Sequence, residues 1–191
     1  MAGSETLKSA MTPQDFARSL YRLADVETPP VDLVPMIREL GLRIVELDLI
    51  GTMSALQKGR TGSSIQVRST LPHTRKRWEI ARQIGMFLMD RHGVEPVKRD
   101  ADKFAAELLL PPKTVESHYR KRREWLKNAL AIGMSATKDD MVRGLAWQFE
   151  VDYRAMAIRL DELHLGPGAG PNKRIWSVSP GSLPPPEDNP P

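Results

Sequence analysis

Apolar residues recur three and four positions apart along most of this chain, the spacing that gathers side chains on one face of an α-helix. Phe16, Leu20, Leu23 and Ala24 form the first such face. Thr12-Pro13-Gln14-Asp15 just before it reads as a helix start, with Thr12 capping, Pro13 at the first helical position and Asp15 completing a capping box. Pro29-Pro30 ends that element. A short second helix is expected from Asp32 as cap to Leu40, with Pro35 in its first turn and Gly41 as its stop. After Gly41 the period shortens. Leu42, Ile44, Glu46 and Asp48 alternate with Arg43, Val45 and Leu47, which predicts a strand bounded by Gly51. Two more strands are expected near 53–57 and 63–68, with Gly59 and Gly62 marking the turn between them.

Helical spacing returns at Pro72. Trp78, Ala81, Gly85 and Leu88 share a stripe, broadened by Ile84 and Met89. Ala101, Phe104, Ala105, Leu108 and Leu109 form the next apolar face, stopped by Pro111-Pro112. Pro112 also opens a helix carrying Trp125, Leu126, Ala129 and Leu130, closed by Gly133. Between Asp139 and Leu165 two short helical runs flank Val151-Asp152. Leu145, Ala146 and Phe149 lie on the first, and Ala155, Met156, Ile158, Leu160 and Leu163 on the second. Beyond Gly166 prolines and glycines dominate. Such a segment buries too little apolar surface to offset backbone entropy, so a disordered tail is expected, with Leu183-Pro184-Pro185-Pro186 suited to polyproline II. The pattern predicts an α+β protein, mostly helical with a short β-ribbon. Its expected divisions are a disordered 1–11, a helix within 12–30, a main domain over 31–135, a helical pair over 136–165 and a disordered 166–191.

A chain of 191 residues, 40% apolar and 27% charged, suffices for one core with a small appended module. No apolar run approaches a membrane span, and residues 1–11 lack the basic and apolar regions of a signal peptide. The absence of cysteine excludes disulfides, Cys-based zinc sites and thiol catalysis, and fits a cytoplasmic location. The net charge of +4 is concentrated in Arg75-Lys76-Arg77 and Arg120-Lys121-Arg122-Arg123. Charge runs are most often solvated faces, but Arg120, Arg122 and Arg123 are candidate contacts for phosphate or for a partner. His73, His92, His118 and His164 are scattered, and no pair has the spacing of a metal site.

Three blocks in order carry a family resemblance. The first is Arg75-x-Arg77-Trp78-x-Ile80-Ala81 leading to Gly85 and Leu88; the second is Ala101-Asp102-Lys103-Phe104-Ala105-Ala106-Glu107-Leu108-Leu109-Leu110-Pro111. The third is Leu145-Ala146-x-x-Phe149-x-Val151, followed by Ala155-Met156-Ala157-x-Arg159-Leu160-x-x-Leu163. Over roughly 31–165 the chain resembles the ImmA/IrrE family of small metallopeptidases, whose members typically read Arg-Phe-Thr-x-Ala-His-Glu-x-Gly-His and then Ala-x-x-Phe-Ala-Ala-x-Leu-Leu-Met-Pro. The resemblance implies a small zincin-like fold, with a β-ribbon beside the metal-binding helix and a helix-turn-helix-like end. It also implies action on helix-turn-helix repressors in phages, mobile elements or stress responses.

Carried across, the family motif places Arg82 at the first His ligand, Met86 at the second, Gln83 at the general base and Lys98 at the third ligand. Guanidinium has no acceptor, and thioether is a poor ligand for a borderline-soft dication. An amide cannot take a proton from bound water, and Lys98 adds positive charge. The expectation is therefore a catalytically inactive homologue with no metal, cofactor or catalytic residue, acting as a regulatory module that binds a protein of the helix-turn-helix repressor class. Arg82 and Lys98 either replace the lost cation, pairing with Asp90, Glu79 or a partner's carboxylate, or simply reach solvent. Two alternatives stand beside it. One is DNA binding through the helical pair, with Arg154 and Arg159 as contacts opposed by Asp161 and Glu162. The other is an active metallopeptidase with an unrecognised site.

Overall fold

The computed structural model describes residues 11–60, 62–95, 97–132 and 137–165, excluding the side chains of Ala129, Leu130 and Lys138. The two terminal segments expected to be disordered fall almost wholly outside the described residues, as does Gly133.

Helix α1 (Pro13–Ser19) begins as its sequence predicts. Asp15 N–H donates to Thr12 Oγ1 at 3.2 Å while Asp15 Oδ2 accepts from Thr12 N–H at 3.0 Å. It ends before the apolar face does, since Tyr21–Leu23 form a separate 3₁₀ turn. That turn brings the Tyr21 hydroxyl to the Glu107 carbonyl at 2.8 Å. Helix α2 (Val34–Glu39) starts later than expected. Its cap is Leu33, whose side chain makes no capping bond, and Asp32 Oδ1 instead accepts from Val34 N–H at 2.9 Å. Gly41, with φ +65°, turns the chain into the sheet.

Strands β1 (Leu42–Leu47), β2 (Ser54–Gly59) and β3 (Gly62–Arg68) assemble in the order β1-β3-β2, with β1 parallel and β2 antiparallel to β3. The register aligns Ile44 and Leu56 with Ile65, and Glu46 and Ser54 with Val67. These residues share the face that meets α3 (His73–Arg91). Ion pairs join that face to the helix, Lys76–Glu46 and Lys58–Asp90, both at 2.6 Å. The alternation in β1 does not translate into burial: Leu42 alone is buried, because β1 is an edge strand.

Helix α4 (Lys98–Leu109) presses Ala101, Phe104, Ala105, Leu108 and Leu109 fully into the core. Phe104 lies so close to α3 that a Cβ added at Gly85 would stand 2.6 Å from its ring, so only glycine permits this helix approach. Helices α5 (Pro112–Ala131), α6 (Lys138–Phe149) and α7 (Tyr153–Glu162) follow. Thr137 and Asp140 cap α6 reciprocally, and Asp152 caps α7 through Ala155 N–H at 2.8 Å. Two expected core residues are not core. Trp125 is exposed with the Arg122 guanidinium over its ring, and Ile158 is exposed on α7. Among the described residues no helix is long and apolar enough to cross a membrane. The architecture is α+β, mainly helical with a small three-stranded sheet.

Candidate functional site

The start of β2, the exposed side of α3, the first turn of α4 and α7 enclose a cleft of two adjoining lobes. Met53, Arg82 and Lys98 line both, and the lobes measure about 660 and 600 Å³.

At the seam Arg82 is nearly buried. Its Nη1 donates to Glu79 Oε2 at 2.8 Å and its Nε lies 2.7 Å from Asp102 Oδ1, so one guanidinium ties α3 to α4. Glu79, 1% exposed, lies one helical turn before Arg82. Arg75 Nη2 approaches its other oxygen at 3.1 Å, and the Ser54 hydroxyl donates to Oε2 at 2.7 Å. Gln83 Nε2 donates to Ser54 Oγ at 2.8 Å. Since the Ser54 proton is committed to Glu79, the Gln83 amide must turn its N–H toward Ser54. Its Oε1 is left buried without a donor among the described residues.

Met86 and Lys98 line the same lobe as Glu79, Arg82 and Gln83. The structure thus brings together all four positions that the resemblance singles out. Of the expected pairings, Arg82 takes Glu79, whereas Asp90 pairs with Lys58 instead. The zinc ion that the resemblance implies does not fit this donor set. Arg82 offers no lone pair and its guanidinium lies against two carboxylates; Lys98 adds a cation, and Met86 and Gln83 provide only a thioether and an amide. Among the described residues no three His, Asp or Glu side chains gather as a metal site. Three of the four histidines make contacts elsewhere: His92 against the Phe16 ring, His118 edge-on to Phe149 and His73 facing Glu150 at 3.7 Å.

The candidate basic contacts separate. Arg154 is exposed and lines the larger lobe. Arg159 is no surface contact. Only 7% exposed, it donates to Glu107 Oε2 at 2.7 Å and to the Leu110 carbonyl at 2.9 Å, and it pairs with Glu162 at 3.1 Å. Arg122 is occupied too, donating to the Asp140 carbonyl at 3.2 Å and lying against Gly144. Arg120 and Arg123 are exposed on α5, outside the lining of the cleft. The second helix of the pair therefore keeps one of its two proposed DNA contacts at the surface, beside exposed Asp161 and Glu162.

Sequence reasoning missed Ser54, Asp102 and Glu107 as site-forming residues, and Arg75 and Arg99 as cleft cations. Arg75, Glu79 and Arg82 sit four and three residues apart, a spacing that could have flagged an ion-paired helix face. Nothing local marks Ser54 as a partner of Gln83.

No curated protein matches the chain at a significant level. The family model of the IrrE N-terminal-like domain, a peptidase family, matches residues 37–161, running from within α2 almost to the end of α7. This match agrees with the small sheet packed on α3 and with the cleft beside it, and the chain belongs to the ImmA/IrrE family.

Proposed function

We propose that this protein is a non-hydrolytic member of its family, a regulatory module that holds a protein partner in the cleft. The observation that carries the reading is Arg82, fixed between Glu79 and Asp102 at the position where the family resemblance puts the first zinc-binding histidine. A permanent side-chain cation bridges α3 and α4 there, so the cleft keeps its shape with no metal to hold it. β2 borders the cleft as an edge strand, leaving backbone groups free for an extended segment. The partner class implied by the family is a helix-turn-helix repressor in a phage, mobile-element or stress-response setting.

The test joins metal analysis to partner capture. Untagged protein purified with zinc in the medium is expected to carry far less than one equivalent of metal, and a chelator should leave its melting temperature unchanged. A candidate repressor should be retained intact, and a photo-crosslinker placed at Ile158 should attach to it. Stoichiometric zinc with cleavage of the repressor would overturn the reading. So would failure to capture any candidate at micromolar concentration.

A further inference from the structure

We infer that the larger lobe is an anion-binding subsite that selects an acidic segment of the partner polypeptide, an inference that rests on the cleft being the binding surface. Seven cationic side chains line this lobe against three anionic ones. Four of the cations already face carboxylates. Arg75 and Arg82 share Glu79, Lys103 pairs with Asp100 at 3.0 Å, and Arg159 pairs with Glu107. Lys98, Arg99 and Arg154 have no carboxylate within 4.0 Å among the described residues, and all three are exposed. They approach from two directions, Lys98 and Arg99 as the first residues of α4 and Arg154 from α7.

The α4 terminus itself adds little to this field: its cap, Val97, makes no side-chain capping bond, but Asp100 in the first turn offsets the positive end of the helix, so the exposed side chains carry the attraction. Cations in a concave site raise the local concentration of anionic groups and seat them with little reorganisation.

Carboxylates on a peptide suit the site better than the phosphates of a nucleic acid. Asp102, Asp152 and Glu162 also line the lobe, and a continuous phosphodiester chain would have to pass them. A peptide can place its acids at the cations and neutral residues elsewhere. Met53, Trp78 and Ile158 provide apolar lining for such residues.

The experiment measures binding of three fluorescent probes to the full chain: Leu-Glu-Glu-Leu-Glu-Glu, its glutamine counterpart Leu-Gln-Gln-Leu-Gln-Gln, and a single-stranded oligothymidine. The glutamate peptide is expected to bind about tenfold more tightly than the glutamine peptide and to weaken as salt rises. Lys98→Glu combined with Arg154→Glu should remove that preference. Arg120→Glu combined with Arg123→Glu, an equal charge reversal outside the cleft, should preserve it. Melting temperatures of both variants show that they fold. Equal binding of the two peptides overturns the acidic preference while leaving the cleft as a binding surface. Absence of peptide binding, with the partner still crosslinked at Ile158, also overturns it; loss of both signals defeats the underlying reading as well. Oligothymidine binding that is tighter than the glutamate peptide and sensitive to the same reversal makes the ligand a nucleic acid and overturns the inference.

Discussion

Arg82 is held by geometry that a smaller side chain cannot reproduce. Its two contacts come from different helices, and Glu79 beneath it is buried. Removing one partner of a buried ion pair leaves the other charge poorly solvated, which commonly costs about 3–5 kcal/mol. Here Arg75 and Ser54 still reach Glu79, so Arg82→Ala should cost less, about 2 kcal/mol in urea denaturation. Glu79→Gln in the same chain should recover part of that loss, giving a coupling of at least about 1 kcal/mol in a double-mutant cycle. Strict additivity of the two substitutions would mean that the pair contributes nothing. The same network shows where residue-level reading stops. Phe104, Leu108 and Leu145 were legible as core because apolar periodicity reports burial directly. Glu107 and Arg159 are buried too, but each is inside because of partners, and a partner 52 or 89 residues away leaves no mark on local periodicity.

Helix ends were legible where the cap lies in the sequence itself. Thr12-x-x-Asp15 delimits α1, and Asp152 starts α7. They were misplaced where a distant contact decides, as with the 3₁₀ turn that delivers Tyr21 to Glu107. The caps also set a response to acid. Asp15 and Asp140 are held below the usual carboxylate range first by the hydroxyls of Thr12 and Thr137, and Asp139 by the Tyr153 hydroxyl and then Arg143. A carboxylate with a lowered folded-state pKa stabilises the fold above its unfolded value, and that contribution fades as pH falls through the folded value. Stability should therefore hold from neutral pH to about 5 and decline below the unfolded value of 3.8. Thermal melts at successive pH values check this. Asp139→Asn with Asp140→Asn should flatten the acid limb, and an unchanged limb would remove the caps from the account.

At the scale of the molecule, the α+β class and the order of elements followed from period and turn residues, and the helix beside the sheet from the family resemblance. The cleft did not, because Met53, Lys98 and Arg154 become neighbours only when sheet, α4 and α7 close together. Glu107 stands near the centre of that closure. From α4 it receives Arg18 of α1 at 2.8 Å and Arg159 of α7 at 2.7 Å, while Tyr21 bonds its carbonyl. The Arg18 contact closes 89 residues of chain, whereas β2 and β3 meet across a tight turn. Loop-closure entropy must be met before so distant a contact returns anything, which places the N-terminal clasp late in the order of assembly. Its loss should then act on one kinetic limb. Arg18→Ala with Tyr21→Phe is expected to speed unfolding about three- to tenfold while refolding keeps its rate, as a chevron measurement would show. A slowed refolding limb would place the clasp in the nucleus instead. A clasp that sets last is also the first to release, so the N-terminal segment governs how long the native protein persists more than how quickly it forms.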